Sequence, residues 1–254
     1  MMKQYVEYRD LGRMSYAEAL EVQRGRFDGL MAAKGAETDG CAGTIFTVEH
    51  PAVYTLGKNG DAGNLLVDES LLRSSGAEFF RTDRGGDITF HGEGQIVGYP
   101  VLDLERLGTG LRDYVWMLEQ AVIDVLAGYG IIAGRSEGAS GVWLGPGAVT
   151  EAGAVIGAGA VTDVDSVEKI GKTGRLRKIC AIGVRASRYI TMHGFALNVT
   201  TDLSRFGYIN PCGFSDRGVT SMERELGCAP SVGEVREKVV TRLAELLGAE
   251  LRKL

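Results

Sequence analysis

Apolar side chains recur at helical spacing in three stretches of the chain. The first opens at Ser15, where Glu18 three positions on forms a capping-box pair, and carries Leu20, Phe27, Leu30 and Met31 on one face. The second, from about Leu111 to Leu126, aligns Leu111, Val115, Leu118, Val122 and Val125. The third begins at Ser231 with Glu234 as its capping partner and presents Val235, Val239, Leu243 and Leu246. Between them lie short β-like runs: TIFTV (44–48), GDITF (86–90), QIVGYPVLDL (95–104), GVWL (141–144), KICAIGV (178–184) and MHGFALNV (192–199). Strands and helices are interspersed without a strict βαβ rhythm, which predicts an α+β fold with helices packed on a mixed β-sheet.

One stretch breaks the pattern. From Gly145 to Gly174 the chain is rich in Gly, Ala and Val, with Val149, Val155 and Val161 six apart. A period of six can mark a β-solenoid, but two coils cannot bury a face, so a surface insertion or hairpin is the expectation. The rest reads as one catalytic-size domain over 1–254 interrupted by this insertion at about 145–173. With 44% hydrophobic and 24% charged residues the chain has the composition of a globular protein, and its net charge of −5 argues against general nucleic-acid binding. No run of eighteen apolar residues and no basic-then-apolar leader occurs, so neither a membrane span nor a signal peptide is expected. Cysteines at 41, 180, 212 and 228 show no CxxC spacing and lie far from His50, His91 and His193, so a metal site and disulfides are not expected.

Three segments hold residues suited to chemistry. In Arg84-Gly-Gly-Asp-Ile-Thr-Phe-His-Gly-Glu-Gly-Gln95 the glycines let the backbone approach a ligand, and Arg84, His91 and Gln95 supply polar groups. It lacks the GxxxxGK[ST] of a phosphate loop, and a glycine-rich hairpin with a satisfied histidine fits equally well. Lys178 enters an apolar strand, where an ammonium must be paired or neutral; a strand-end lysine reaching solvent is the plainer alternative. Gly183, Gly194 and Ala196 leave space above a sheet, for an acyl chain or for close strand packing. In Pro211-Cys212-Gly213 the proline fixes the backbone ahead of the thiol and the glycine leaves room after it, as suits a displayed nucleophile that needs a neighbouring cation or base. Cys41, Cys180 and Cys228 lack such a setting and read as inert core thiols.

Taken together, RGGDITFHGEGQ, KICAIG, HGFALN and PCG resemble, in that order, the motifs of the octanoyltransferase (lipoyl/octanoyl transferase) family of lipoate biosynthesis, with supporting matches at EHPAVYTLG (49–57), GYPVLD (98–103) and GVTSM (218–222). The resemblance spans roughly residues 5 to 247 and implies a fold like the biotin/lipoate protein ligase catalytic domain. It implies that Cys212 is the nucleophile that carries the acyl group as a thioester, and that Lys178 lowers the thiol's pKa and moves protons. Substrate-binding segments would be Arg84, Gly85, Gly86, Asp87, Ile88, Thr89, Phe90 and His91, then Ala181, Ile182 and Gly183, then Gly194, Phe195 and Ala196. The implied donor is octanoyl-acyl carrier protein and the acceptors are lipoyl domains of 2-oxoacid dehydrogenase complexes and the glycine cleavage H protein. No cofactor, a cytoplasmic location and a monomer are also expected. Phe90 and Glu93 depart from the family's usual Tyr and Pro. Lys169, Lys172, Arg175 and Arg177, at the end of the insertion, form a basic run that suits docking of an acidic carrier and equally well a solvated face.

Overall fold

The computed structural model describes residues 4–36, 40–149, 175–210 and 217–254. Among the described residues, twelve strands form two sheets. In chain order the strands of the large sheet are β1 (Tyr5–Arg13), β2 (Cys41–Glu49), β6 (Gln95–Leu102), β7 (Gly134–Ser136), β8 (Ala139–Leu144), β9 (Arg177–Ser187), β10 (Ile190–Asn198), β11 (Gly218–Val219) and β12 (Glu250–Lys253). Their spatial order is β12-β1-β2-β6-β10-β9-β8-β7, with β11 paired to β9. β1 runs parallel to β2 and β12, β11 runs parallel to β9, and the remaining pairs are antiparallel, so the sheet is mixed as expected. A second sheet of three strands, β3 (Val53–Leu56), β4 (Glu78–Arg81) and β5 (Ile88–His91), has β3 at its centre.

Both faces of the large sheet are covered, and this explains strands that read as continuous apolar runs rather than alternating ones. Every residue of β6 is buried. Ile96 and Leu102 enter the core beneath α3 (Leu111–Gly128) and the C-terminal helix (Val232–Leu246). Val97, Tyr99 and Val101 enter the core beneath α1 (Tyr16–Ala32). The capping box of α1 forms as its sequence indicates: the Ser15 hydroxyl accepts from the Glu18 N–H, and the Glu18 carboxylate accepts from the Ser15 N–H at 3.1 Å. Ser231 likewise caps the C-terminal helix by accepting from the Glu234 N–H.

The helical stripe of α3 differs from expectation at its start. Leu111 is exposed, and Tyr114 fills the core position one turn in. The run 86–90 becomes strand only from Ile88, since Arg84 to Asp87 form a loop, and the run 95–104 ends at Leu102. Of the cysteines read as core, Cys180 is fully buried, whereas Cys41 is only partly covered and Cys228 is exposed. Most of the Gly/Ala/Val-rich insertion lies outside the described residues.

A proline in a central strand needs an account, because it donates nothing to the ladder. Pro100 pairs with Ile45 of β2 on one side. On the other side the β6–β10 ladder stops at Gly98 and Phe195, and β10 turns through a left-handed residue, His193 (φ 61). The Thr191 hydroxyl bridges the gap, donating to Pro100 O at 2.7 Å and accepting from the Leu102 N–H at 3.1 Å. Gly194 sits at the tightest point, where a Cβ would come within 2.2 Å of Gly98 O and 2.7 Å of Pro100 Cδ. Gly194→Ala is therefore expected to destabilise the protein by about 1–3 kcal/mol, although an alanine in unstrained extended backbone is normally the more stable choice; urea unfolding of the two proteins compares them directly.

Candidate active site

A cavity of about 360 Å³ lies between the large sheet and the small one. Its walls come from the loop that precedes β5, from β9 and β10, and from Tyr16 at the start of α1. Of the residues singled out from sequence, Arg84, Gly86, Asp87, Ile88, Thr89 and His91 line it from the small-sheet side. Ala181, Ile182, Gly183, Gly194, Phe195, Ala196 and Lys178 line it from the large sheet. Two do not line it. Phe90 packs among Tyr54 and Phe206 in the core of the small sheet, at ring separations of 5.0 and 5.5 Å. Gly85 contributes backbone, its N–H donating to Val184 O at 3.0 Å and so tying the loop to β9. Cys212 lies outside the described residues, as do Lys169 and Lys172. Of the basic run, Arg177 is not a surface charge: it is held in an ion pair with Glu225 at 3.2 Å, both side chains largely covered.

The space that glycines leave is used by backbone. A Cβ on Gly183 would stand 2.6 Å from Gly85 O, so Gly183 admits the loop itself, as Gly194 admits Gly98 and Pro100. Of the two uses that the sequence leaves open for these small residues, the structure shows close packing at both glycines, and all three also border the cavity.

Arg84 holds the loop's shape. Its guanidinium is buried and donates to Thr55 O (2.6 Å), Thr55 Oγ1 (2.9 Å), Asp87 O (2.7 Å) and Gly85 O (3.0 Å). The Asp87 carboxylate completes the turn by accepting from the Ile88 N–H and from Asn64 Nδ2.

His91 is buried behind the loop. Burial, and after it the charge of His50, pushes its pKa down to about 3, so the ring is neutral at ordinary pH. His50, also buried, is pushed down to about 4; its Nδ1 donates to Met14 O and its Nε2 accepts from Tyr99 Oη, both at 2.8 Å. His193 forms a 2.8 Å bond from Nε2 to Asp83 Oδ1 and its pKa is lowered, chiefly by burial and against the pull of Asp83. Burial raises the Tyr16 hydroxyl to about 12 and Tyr99 further, so these phenols also remain neutral.

Lys178 stands at the β8 side of the cavity, 9% exposed. Its ammonium lies 4.4 Å from the centre of the Trp143 ring, a cation–π arrangement, and its backbone carbonyl accepts from the Thr220 N–H at 3.0 Å. Lys178 therefore neither snorkels freely nor sits in a purely apolar slot. Glu119 of α3, unmarked by any sequence signal, feels this charge: burial raises its carboxyl, opposed by the Gly141 N–H, Arg135 and Lys178. Trp143 was equally invisible, since a lone aromatic in GVWL reads as core; Asn198 and Thr220 carry a signal only in that they fall within HGFALN and GVTSM.

The described residues on either side of Pro211–Gly213 are both anchored by backbone hydrogen bonds. Upstream, the Asn210 N–H donates to Asn64 O at 2.8 Å, and Asn64 in turn holds Asp87. Downstream, Gly218 and Val219 pair with Arg177 and Lys178.

Residues 15–244 match the family described as the lipoyl protein ligase A/B catalytic domain. An octanoyltransferase of Bacteroides fragilis is 48% identical over 238 residues, covering 94% of this chain and 95% of the relative. One from Porphyromonas gingivalis is 52% identical over 220 residues, covering 87% of this chain and 40% of a longer protein. Among solved structures, a lipoate-protein ligase A bound with ATP superposes with a TM-score of 0.63 at 15% identity, covering 100% of this chain and 89% of the other. A bipartite lipoate protein ligase from Thermoplasma acidophilum gives a TM-score of 0.63 at 14% identity, covering 100% and 87%. These structures share the fold.

A buried neutral histidine makes stability depend on pH. Above pH 6.5 the His91 ring is neutral in both folded and unfolded chains. Between about 6.5 and 3 the unfolded ring takes up a proton that the folded one refuses, so stability falls as pH falls through that window, by at most about 1.4 kcal/mol per pH unit. His50 adds to the same trend down to about pH 4. His91→Gln is expected to flatten the decline measured by urea unfolding at pH 7, 6 and 5; an unchanged slope would mean that the ring is protonated in the fold.

Proposed function

The chain belongs to the lipoyl protein ligase A/B catalytic domain family, and from that premise we propose that it is a lipoyl(octanoyl) transferase that moves an octanoyl group from octanoyl-acyl carrier protein to a lysine of a lipoyl domain through a thioester on Cys212. The acceptors are the lipoyl domains of 2-oxoacid dehydrogenase complexes and the glycine cleavage H protein. Relatives near 50% identity over most of the chain are octanoyltransferases, whereas the ATP-bound ligase shares only the fold at 15% identity.

The observation that carries the reading is the anchoring of the Pro211–Gly213 flanks beside Lys178. Gly218, six positions after Cys212, is hydrogen-bonded along the strand that bears Lys178, and six extended residues reach at most about 20 Å. A thiol on that tether is within range of a buried lysine at the edge of the cavity. In ammonium form Lys178 favours the Cys212 thiolate, which attacks the donor's thioester carbon. The tetrahedral intermediate expels the carrier's thiolate, which takes a proton, and leaves octanoyl-Cys212. The acceptor lysine's amine then attacks the new thioester, and Lys178 in amine form receives the proton lost as the amide forms and the Cys212 thiolate departs. Thioester exchange is nearly isoenergetic and amide formation draws the reaction forward, so the route consumes no ATP.

Intact-mass measurement after mixing with octanoyl-acyl carrier protein tests this. The wild type should gain one octanoyl group and lose it when a lipoyl domain is added. Cys212→Ala should gain none, and Lys178→Ala should gain it about 10²–10⁴ times more slowly. An octanoyl adduct on Cys212→Ala would refute the nucleophile. AMP release from free octanoate and ATP would favour a ligase instead.

A further inference from the structure

A run of buried polar groups that takes no part in the transfer steps joins the segments RGGDITFHGEGQ, HGFALN, GVTSM and KICAIG. Arg84 donates to Thr55 Oγ1 at 2.9 Å, and Thr55 Oγ1 meets His91 Nε2 at 3.4 Å. His91 Nδ1 meets Gln95 Oε1 at 2.8 Å, and Gln95 Nε2 donates to Asn198 Oδ1 at 2.8 Å. Asn198 Nδ2 donates to Thr220 O at 3.0 Å, and the Thr220 N–H donates to Lys178 O at 3.0 Å. His91, Gln95, Asn198 and Thr220 are all 6% exposed or less.

The direction of this chain is fixed by atoms that can play one part only. Thr220 O and Phe90 O are carbonyls and can only accept. They therefore fix the amide orientations of Asn198, whose Nδ2 faces Thr220, and of Gln95, whose Nε2 also reaches Phe90 O at 3.2 Å. Gln95 Oε1 is left facing His91, so Nδ1 carries the ring's proton and Nε2 is the acceptor. Nε2 can then take a proton only from the Thr55 hydroxyl, whose lone pairs are met by Arg84, a permanent cation. Every donor points from the glycine-rich loop toward β11 and β9, and no link can reverse without leaving a buried polar atom unpaired.

We propose that Asn198, held in this one-way chain by Gln95 and His91, is a positioning residue for the transfer reaction. Through Thr220 it fixes β11, which follows Cys212 in sequence, against the strand that carries Lys178, and so sets the register between lysine and thiol. The proposal rests on the transferase reading above, because it assumes that Lys178 acts on the Cys212 thiol. Asn198 borders the cavity, and both polar atoms of its side chain are taken up by Gln95 and Thr220.

The test is the rate of octanoyl-adduct formation on the full chain from octanoyl-acyl carrier protein, followed by intact mass from about pH 5 to pH 10. Asn198→Asp keeps the side chain's size but replaces the donor to Thr220 O with an oxygen. It should form the adduct roughly 100-fold more slowly. Its pH profile should move up by about one unit or more, toward the range of a free thiol near 8.5, with the donor's KM little changed. Gln95→Met, which retains length but cannot donate to Asn198 Oδ1, should move the profile in the same direction and stands in if Asn198→Asp does not fold. Leu118→Ala, which truncates a buried core side chain of α3 that makes none of these hydrogen bonds, should lower the melting temperature and leave the profile in place. A folded Asn198→Asp or Gln95→Met with the wild-type rate and profile overturns the proposal, and so does an equal shift in Leu118→Ala. Absence of an adduct on the wild type overturns the transferase reading and this one together, whereas a wild-type adduct with unshifted variants overturns this one alone.

Discussion

A guanidinium taken out of water must find an acceptor for each of its N–H groups, and Arg84 finds them almost entirely in backbone. Thr55 O, Gly85 O and Asp87 O converge on it, together with the Thr55 hydroxyl. Breaking such a set would leave a buried charge short of partners, at a cost of several kcal/mol, so the loop from Arg84 to Asp87 has one low-energy shape. That shape determines much else. It brings Gly85 O against β9 closely enough that only glycine is tolerated at 183, and the Gly85 N–H clips the loop to Val184. It also occupies the Thr55 hydroxyl from one side, which leaves its proton for His91 and selects the tautomer of a ring already driven neutral by burial. The shape of the cavity wall follows from one buried cation, and its donation to Thr55 agrees with the direction that Thr220 O and Phe90 O impose on the chain behind it.

The central sheet answers a second constraint in a similar way. Pro100 cannot donate within β6, and the neighbouring strand gives way to it: Gly194 loses its side chain, His193 takes a left-handed conformation, and Thr191 supplies the missing bonds from its hydroxyl. The segments GYPVLD and HGFALN are thus two halves of one packing solution. This explains why both are recognisable as motifs although neither contributes a plain catalytic group at that point.

The elements that sequence made legible are those whose apolar period is simple. α1 and the C-terminal helix declare themselves through a cap and a single buried stripe, and β2, β6, β9 and β10 through apolar runs covered on both faces. β1, β4 and β12 were not, because each mixes charged residues with apolar ones and owes its place to a parallel neighbour distant in sequence. The site divides along the same line. Lys178 and the glycine-rich loop stand out by composition, whereas Trp143 and Glu119, which give Lys178 its surroundings, come from strand β8 and helix α3 with no local mark. A resemblance of ordered motifs located the site, and contact across the sheet supplied the rest.

Cys180 shows what a cation alone can do to a thiol. It lies two residues from Lys178 on the same strand and feels that charge, which favours the thiolate. Burial outweighs it, and the thiol is pushed far above its ordinary value. A buried thiolate would have to give up water with no full set of donors in return, and one nearby ammonium does not compensate. Proximity to Lys178 is therefore insufficient for reactivity. The nucleophile must approach the lysine from a place where substrate can reach the sulfur and where its charge is met by more than one donor, which a strand interior cannot offer. Asn210 and Gly218, the anchored residues on either side of Cys212 in sequence, hold the chain outside the strand interior that silences Cys180. The ordered chain from Arg84 to Thr220 ends where β11 lies on β9, beside Lys178.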